Sequence, residues 1–384
     1  MSSRFKKLSR ELGKLALALL VLGILGLGVA ASGIIPITAS SGHLPITKWF
    51  LSFSMRRSVK THSMQIQPPS NLDDERLVLL GAGHYETGCA ICHGSPVHNP
   101  PPIAQELTPE PPRLADAAPR WDDEELFFIV KHGVKMTGMP AFPSQQRDDE
   151  VWAVVAFLRK LPQFDARAYR DLAYGEAITE SATLPNQEQL DEGMRHLVRQ
   201  SCARCHGING QGRDEGAFPS LAGQSREYLH ASLLAYHQGV RESGIMQPAA
   251  ASLSGEQMRA LADYYANLEP RSAISSEDRS SIDRGRQLAE EGIPQRKLAA
   301  CSGCHATSSD QKKNPRYPRL AGQSAEYLES QLHLFKNHHR GETEYAHLMR
   351  PVAEQMNDEQ MRDVAAYYAS LPGLPQVDSE TKSD

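Results

Sequence analysis

Cysteine is scarce in this chain: there are six in 384 residues. Basic charge is not in excess either. The formal net charge of -5 gives no positive footprint for a phosphate backbone, so nucleic-acid binding is set aside. Strand-like alternation is nearly absent, which removes the strand and crossover setting that a thioredoxin-like Cys-Xaa-Xaa-Cys disulfide needs. No unit holds a second cysteine pair, so a structural zinc site on any of the three sets would still need a fourth ligand and is disfavoured. With 40% hydrophobic and 23% charged residues the composition is that of a globular protein and argues against a largely disordered chain.

What is present is a pattern that uses every cysteine. Cys89-Ala90-Ile91-Cys92-His93 recurs as Cys202-Ala203-Arg204-Cys205-His206 and as Cys301-Ser302-Gly303-Cys304-His305. Two cysteines three apart on a helical turn face the same way and can add to the two vinyl groups of one porphyrin. The histidine behind them then reaches the iron. The spacing predicts three covalently attached haem c groups, with Cys89, Cys92, His93, Cys202, Cys205, His206, Cys301, Cys304 and His305 as the cofactor-binding set.

The sixth ligand decides between carrier and enzyme. A methionine thioether favours the ferrous state and raises the potential. "HGVKMTGMPAF" offers Met136 and Met139, "HQGVRESGIMQP" offers Met246, and "HHRGETEYAHLMRP" offers Met349. Met139, Met246 and Met349 stand in loops with a proline next or nearly next and are the expected iron ligands, with Met136 a competitor in the first unit. Met258 and Met361, in the closing helices, are expected to be packing residues. A ligating imidazole needs its other nitrogen fixed, and the carbonyls of Pro112, Pro219 and Pro318 are the candidates. Any of the twelve other histidines could in principle displace a methionine, and His347, two residues before Met349, is the foremost candidate.

The repeat extends beyond the motif. The closing helices "DDEVWAVVAFLRKLP", "SGEQMRALADYYANLEP" and "NDEQMRDVAAYYASLPG" each open on a polar cap and carry apolar residues at helical spacing. The loops "FPSLAGQSREYL" and "YPRLAGQSAEYL" also match, with a shorter echo in "PPRL". Units of about a hundred residues, much of them loop, have thin side-chain cores that a large apolar cofactor would fill.

The N-terminus carries Arg4, Lys6, Lys7, Arg10 and Lys14 ahead of an uncharged run from Leu15 to Ile35, long enough to span a bilayer with its basic flank in the cytoplasm. A cleaved signal ending near Val29-Ala30-Ala31 is the rival reading. Behind it, "ITKWFLSFSMRRSVKTHS" reads either as an interfacial helix on the outer membrane surface or as a helix packed on the first unit. The divisions expected are an anchor or signal peptide over 1–36, a juxtamembrane segment over 37–74, haem domains over 75–165, 188–269 and 282–373, linkers over 166–187 and 270–281, and a polar tail over 374–384.

From about Leu77 onward these residues resemble class I cytochromes c. Within Gln189–Pro372, "CARCHGINGQG", "FPSLAGQSREYL", "GVRESGIM" and "ALADYYANL", with "CSGCH", "YPRLAGQSAEYL" and "DVAAYYASL", are similar to the tandem dihaem cytochrome c4 proteins. The first unit, with "CAICHG" and "VKHGVKMTGMPAF", resembles a single-haem cytochrome attached to respiratory or dehydrogenase complexes. The resemblance implies an all-α fold of three tandem class I cytochrome c domains after an N-terminal transmembrane helix. It also implies ligand pairs His93/Met139, His206/Met246 and His305/Met349, and a location on the periplasmic side of the bacterial inner membrane. The third unit departs from the pattern, reading "HATSSDQKKN" where the second has its glycines. The function expected is a membrane-anchored trihaem carrier, not an enzyme, passing electrons between a redox-protein donor and acceptor such as a dehydrogenase, a terminal oxidase or a reductase. The alternatives are a haem redox enzyme of the peroxidase or sulfur/nitrogen-oxyanion type, which needs one open iron position, and a cytochrome subunit of a membrane dehydrogenase complex.

Overall fold

Three times along the chain a helix runs into a Cys-Xaa-Xaa-Cys-His turn. The computed structural model, which describes residues 3–175, 183–213, 216–273, 278–311, 313–340 and 343–375, shows how those turns are supported. Helix α1 (Ser3–Ala31) stands alone, and its stretch Lys7–Ala31 is long and apolar enough to cross a membrane. Helix α2 (Pro45–Ser63) packs on α4 (Asp123–His132). Around the first motif lie α3 (Glu75–His84), α5 (Asp148–Lys160) and α6 (Ala166–Tyr174). Around the second lie α7 (Glu192–Leu197), α8 (Arg226–His237), α9 (Met246–Ala251) and α10 (Gly255–Ala266). Around the third lie α11 (Arg279–Glu291), α12 (Ala325–Lys336), α13 (Met349–Glu354) and α14 (Asp358–Ser370). Among the described residues there is no strand, only an isolated bridge between Ile293 and Leu298.

Buried apolar side chains gather in three large clusters, one beside each motif. Tyr85, Val154 and Phe157 belong to the first, Leu261, Tyr264 and Tyr265 to the second, and Val364, Tyr367 and Tyr368 to the third. The closing helices α5, α10 and α14 form because apolar residues at three and four spacing meet a polar start. Ser254 with Gln257, and Asn357 with Gln360, make reciprocal capping boxes at α10 and α14. Helix α5 differs: its cap is Arg147, and Asp148, Asp149 and Glu150 fill its first turn. Met258 and Met361 are buried at 3% and 0% exposure in the second and third clusters, as packing residues are.

In the first and third units the opening helix crosses the closing one at a glycine. A Cβ on Gly81 would lie 2.0 Å from the Ala153 carbonyl oxygen, and one on Gly285 1.9 Å from that of Asp363. Only a bare Cα permits such approach.

One expectation needs correction. The stretch 166–187, read as a linker, begins with helix α6, whose Tyr169 and Ala173 are fully buried in the first cluster. The apolar spacing of Tyr169, Leu172 and Ala173 is helical, but it covers barely two turns among charged residues. The second linker is also shorter than 270–281, since α11 starts at Arg279.

Substituting Gly81 or Gly285 with alanine is expected to destabilise the protein by about 1–3 kcal/mol each, whereas Gly303→Ala, where a Cβ meets nothing within 4 Å, is expected to be close to neutral. Thermal unfolding of the three variants checks this.

Candidate functional site

Two of the motifs are reached through a π turn, Tyr85–Cys89 in the first unit and Val198–Cys202 in the second, which widens the helix just where the cysteines begin. The third is reached through a tight 3-10 turn, Cys301–Gly303. Glycines at positive φ end the first two motifs: Gly94 at 69° and Gly207 at 78°. The third has no such glycine. Its histidine is nevertheless placed the same way, since His206 Nδ1 lies 2.9 Å from the Pro219 carbonyl and His305 Nδ1 lies 2.9 Å from that of Pro318. His93 Nδ1 lies 2.7 Å from the Pro112 carbonyl across a longer loop.

A carbonyl can only accept, so Nδ1 must carry the proton in all three rings and Nε2 is left with its lone pair. Burial also pulls the three imidazoles below their usual range, against the opposing pull of the carbonyl. Neutral rings of fixed tautomer are what an iron needs.

His206 and His305 open into one continuous cavity of about 900 Å³, at the upper end for small-molecule sites. Cys202, Cys205, Cys301, Cys304, Met246 and Met349 also line it, so two motifs and two methionines from separate units converge on one space. Met246 and Met349 do not sit in open loop: each is the first residue of a short helix, α9 and α13. In the first unit Met136 is 80% exposed with φ at 61°, while Met139 is half-buried and its amide is held by the Thr137 hydroxyl at 3.0 Å. The chain thus turns Met136 to solvent. His347 is exposed too, its Nδ1 bonded to the Glu344 carbonyl at 3.0 Å.

The cavity wall fits an acidic, largely apolar cofactor. Arg241 and Arg340 are buried in it, and among the described residues no carboxylate pairs with either. A buried guanidinium demands an anion, and a haem brings two carboxylates. Each arginine reaches a tyrosine of the other unit: Arg340 Nη2 donates to Tyr228 Oη at 2.8 Å and Arg241 Nη2 to Tyr327 Oη at 3.4 Å. Burial raises the Tyr228 phenol, but the charges of Arg340 and Arg241 outweigh it and hold the phenol below its usual value.

The two glutamines of the repeated "LAGQS" are equally reciprocal. Gln224 brackets the backbone of Arg319, at 2.8 Å from its N–H and 2.9 Å from its carbonyl, and Gln323 brackets Ser220 at 2.9 Å on both sides. Sequence reasoning used the glutamines and tyrosines only as marks of duplication and passed over both arginines. Their recurrence at the same offset as the histidines was the available signal.

Comparison with known proteins follows the same division. A family model described as "Cytochrome c" matches residues 190–269 and 282–372, and one described as "Cytochrome C oxidase, cbb3-type, subunit III" matches residues 76–158. The chain is 35% identical over 180 residues to a cytochrome c-552 of Acidithiobacillus ferridurans, covering 46% of this chain and 76% of that protein. It is 34% identical over 192 residues to a thiosulfate dehydrogenase electron acceptor of Stutzerimonas stutzeri, covering 48% and 85%. A cytochrome c4 of Thiocapsa roseopersicina is 31% identical over 176 residues, covering 46% and 88%.

One buried histidine lies outside all three motifs. His84, in α3, lies against Phe142 with ring centroids 5.7 Å apart and the planes tilted by 47°, and its Nε2 is 4.0 Å from Glu150 Oε2. Burial, helped by the Arg147 charge and opposed by Asp149, pulls it from its usual 6.5 down to about 3. Folded, it stays neutral; unfolded, it takes a proton below 6.5, so its contribution to stability is lost as pH falls from 6.5 toward 3. The slope is at most about 1.4 kcal/mol per pH unit. Glu150, which burial raises to about 6, has the opposite sign between 4.5 and 6. The comparison of wild type with His84→Leu isolates the histidine: the variant's melting temperature is expected to fall less steeply on acidification.

Proposed function

We propose, for a chain that belongs to the class I cytochromes c, that it is a membrane-anchored, exported electron carrier with three haem domains in series, at 75–165, 188–269 and 282–373. The observation that carries the reading is the opening of two Cys-Xaa-Xaa-Cys-His sets, their neutral histidines and two methionines into one cavity. A cytochrome c domain holds haem c covalently, and the bound haem supplies an iron that takes up and gives back one electron. The chain's own residues do the rest. Cys89 and Cys92, Cys202 and Cys205, and Cys301 and Cys304 tether the cofactors so that none is lost outside the cytoplasm. His93, His206 and His305, oriented from the prolyl carbonyls, would offer Nε2 to the iron. Met139, Met246 and Met349 would offer their thioether sulfurs to it. The buried aromatic and aliphatic walls exclude water, so little reorganises when charge arrives.

The pairing of the second and third units across Gln224, Gln323, Arg241 and Arg340 supports direct passage of electrons between them. The donor fitting the relatives is a dehydrogenase acting on a reduced sulfur compound, since one of them is named as the electron acceptor of thiosulfate dehydrogenase. The acceptor would be a terminal oxidase or reductase. A methionine candidate in every unit argues against an open catalytic iron.

Helix α2 supports the membrane reading. Leu51, Met55 and Val59 turn toward the first unit, with Arg56 over Trp121 and His62 stacked on Phe128. On the opposite side Ile46, Trp49, Phe50 and Phe53 recur at helical spacing and are 47–68% exposed, with Lys48, Arg57 and Lys60 nearby. Such a face suits the headgroup region beside an anchor.

Purified from membranes, the protein is expected to show three haems per chain by pyridine haemochrome, all low-spin, with the near-infrared sulfur-to-iron band. Met139→Ala, Met246→Ala and Met349→Ala should each remove one haem's share of that band and open one iron to carbon monoxide, while Met136→Ala should change neither. A wild-type iron that binds carbon monoxide readily would overturn the carrier reading. The membrane fraction is expected to retain the protein through an alkaline wash, and release in that wash would overturn the anchor.

A further inference from the structure

The first unit grips the loop that leads into Met246. Ser144 Oγ donates to Glu242 Oε2 at 2.7 Å, and Arg147 Nη1 to the Glu242 carbonyl at 2.9 Å. Glu150 then accepts twice from the next two residues, from Ser243 Oγ at 2.8 Å and from the Gly244 amide at 2.5 Å. Ser243 Oγ passes the constraint on, accepting from the Met246 amide at 3.2 Å. Arg147 Nη2 lies 2.8 Å from Glu150 Oε1 and keeps the carboxylate in place. Phe142 closes the contact from the side, so tightly that a Cβ on Gly244 would fall 2.2 Å from its ring.

Glu150 is only 3% exposed. Burying an ion pair costs desolvation that its attraction seldom repays, so a buried pair is weak evidence of a stabilising role. What it does supply is direction. Both carboxylate oxygens are committed to one four-residue turn of another unit, and that turn ends on a thioether.

The corresponding segment of the third unit is held differently. His347 Nδ1 bonds to the Glu344 carbonyl at 3.0 Å and the Leu348 amide to that of Tyr345 at 3.1 Å. Among the described residues no hydrogen bond from the first unit reaches it. Two duplicated units therefore carry the same ligand type on differently supported loops.

We propose that Arg147 and Glu150 are positioning residues for Met246, so that docking of the first unit sets the strength of the axial bond, and hence the potential, in the second. This rests on the assignment of Met246 as an iron ligand. A thioether held at bonding distance favours the ferrous state, so loosening it lowers the midpoint and lets other ligands compete.

The test uses the full-length, haem-loaded protein. Glu150→Ala and Ser243→Ala are compared with wild type by redox titration, near-infrared band intensity and carbon monoxide binding, with Met246→Ala as the reference. Both variants are expected to lower one midpoint and leave the others in place, to weaken one haem's share of the band, and to raise carbon monoxide binding at that haem at least tenfold. Loss of the Glu150 charge alone would instead raise a nearby midpoint and leave the band intact, so that outcome makes Glu150 a mere neighbouring charge and overturns the proposal. Ser243→Ala changes no charge and little volume, so it decides the matter if Glu150→Ala does not fold. An unchanged band and unchanged midpoints in Ser243→Ala would also overturn it. If Met246→Ala itself leaves the band intact, the ligand assignment has failed rather than the brace.

Discussion

A ring N–H pointed at a prolyl carbonyl is the constraint on which each site depends. It settles the tautomer of His93, His206 and His305, and with it which nitrogen is free for iron. It also ties the motif helix to the loop beneath it. The third unit shows how strong the requirement is. Its loop has lost the glycines at positive φ that shape the second, Gly207, Gly210 and Gly212, and folds instead around Thr307, Gln311 and Asn314. The histidine still meets its proline at the same distance. The path of the chain has been rebuilt around one hydrogen bond.

The second and third units then use their shared sequence on each other. Gln224 brackets the backbone of Arg319 and Gln323 brackets that of Ser220 at the symmetric position, as the duplicated sequence allows. The buried arginines and tyrosines follow the same rule. Such pairing leaves both cations facing a common cavity with no carboxylate partner among the described residues, an arrangement that suits acidic cofactors. The first unit stands outside this symmetry and attaches by contacts of its own, among them the set around Arg147 and Glu150 and the bonds from Arg213 to the Asp171 and Leu172 carbonyls. It also covers the second site, for Leu79 of α3 clusters with Phe218 and Cys205.

Much of this was legible beforehand because the chemistry is local. Cysteine spacing, the adjoining histidine and the proline thirteen residues on in two of the units lie within short stretches of chain, and helical spacing marked the closing helices. The proline that follows Met139 favours it over Met136, yet two methionines three apart still compete in the sequence, and only the folded chain shows Met136 turned to solvent. Helix α6 was missed for a related reason: its few apolar residues acquire meaning only against the core they join.

What the sequence determined by itself was the repeated unit, its cofactor and the helical class, since these follow from residue type and spacing along a few turns. Tertiary structure alone decided which groups meet between units. Glu150 and Ser243 are ninety-three residues apart, and Arg340 and Tyr228 more than a hundred, so no local pattern could pair them. Their partnership depends on how folded units dock, which is set by shape and burial summed over whole surfaces rather than by any motif.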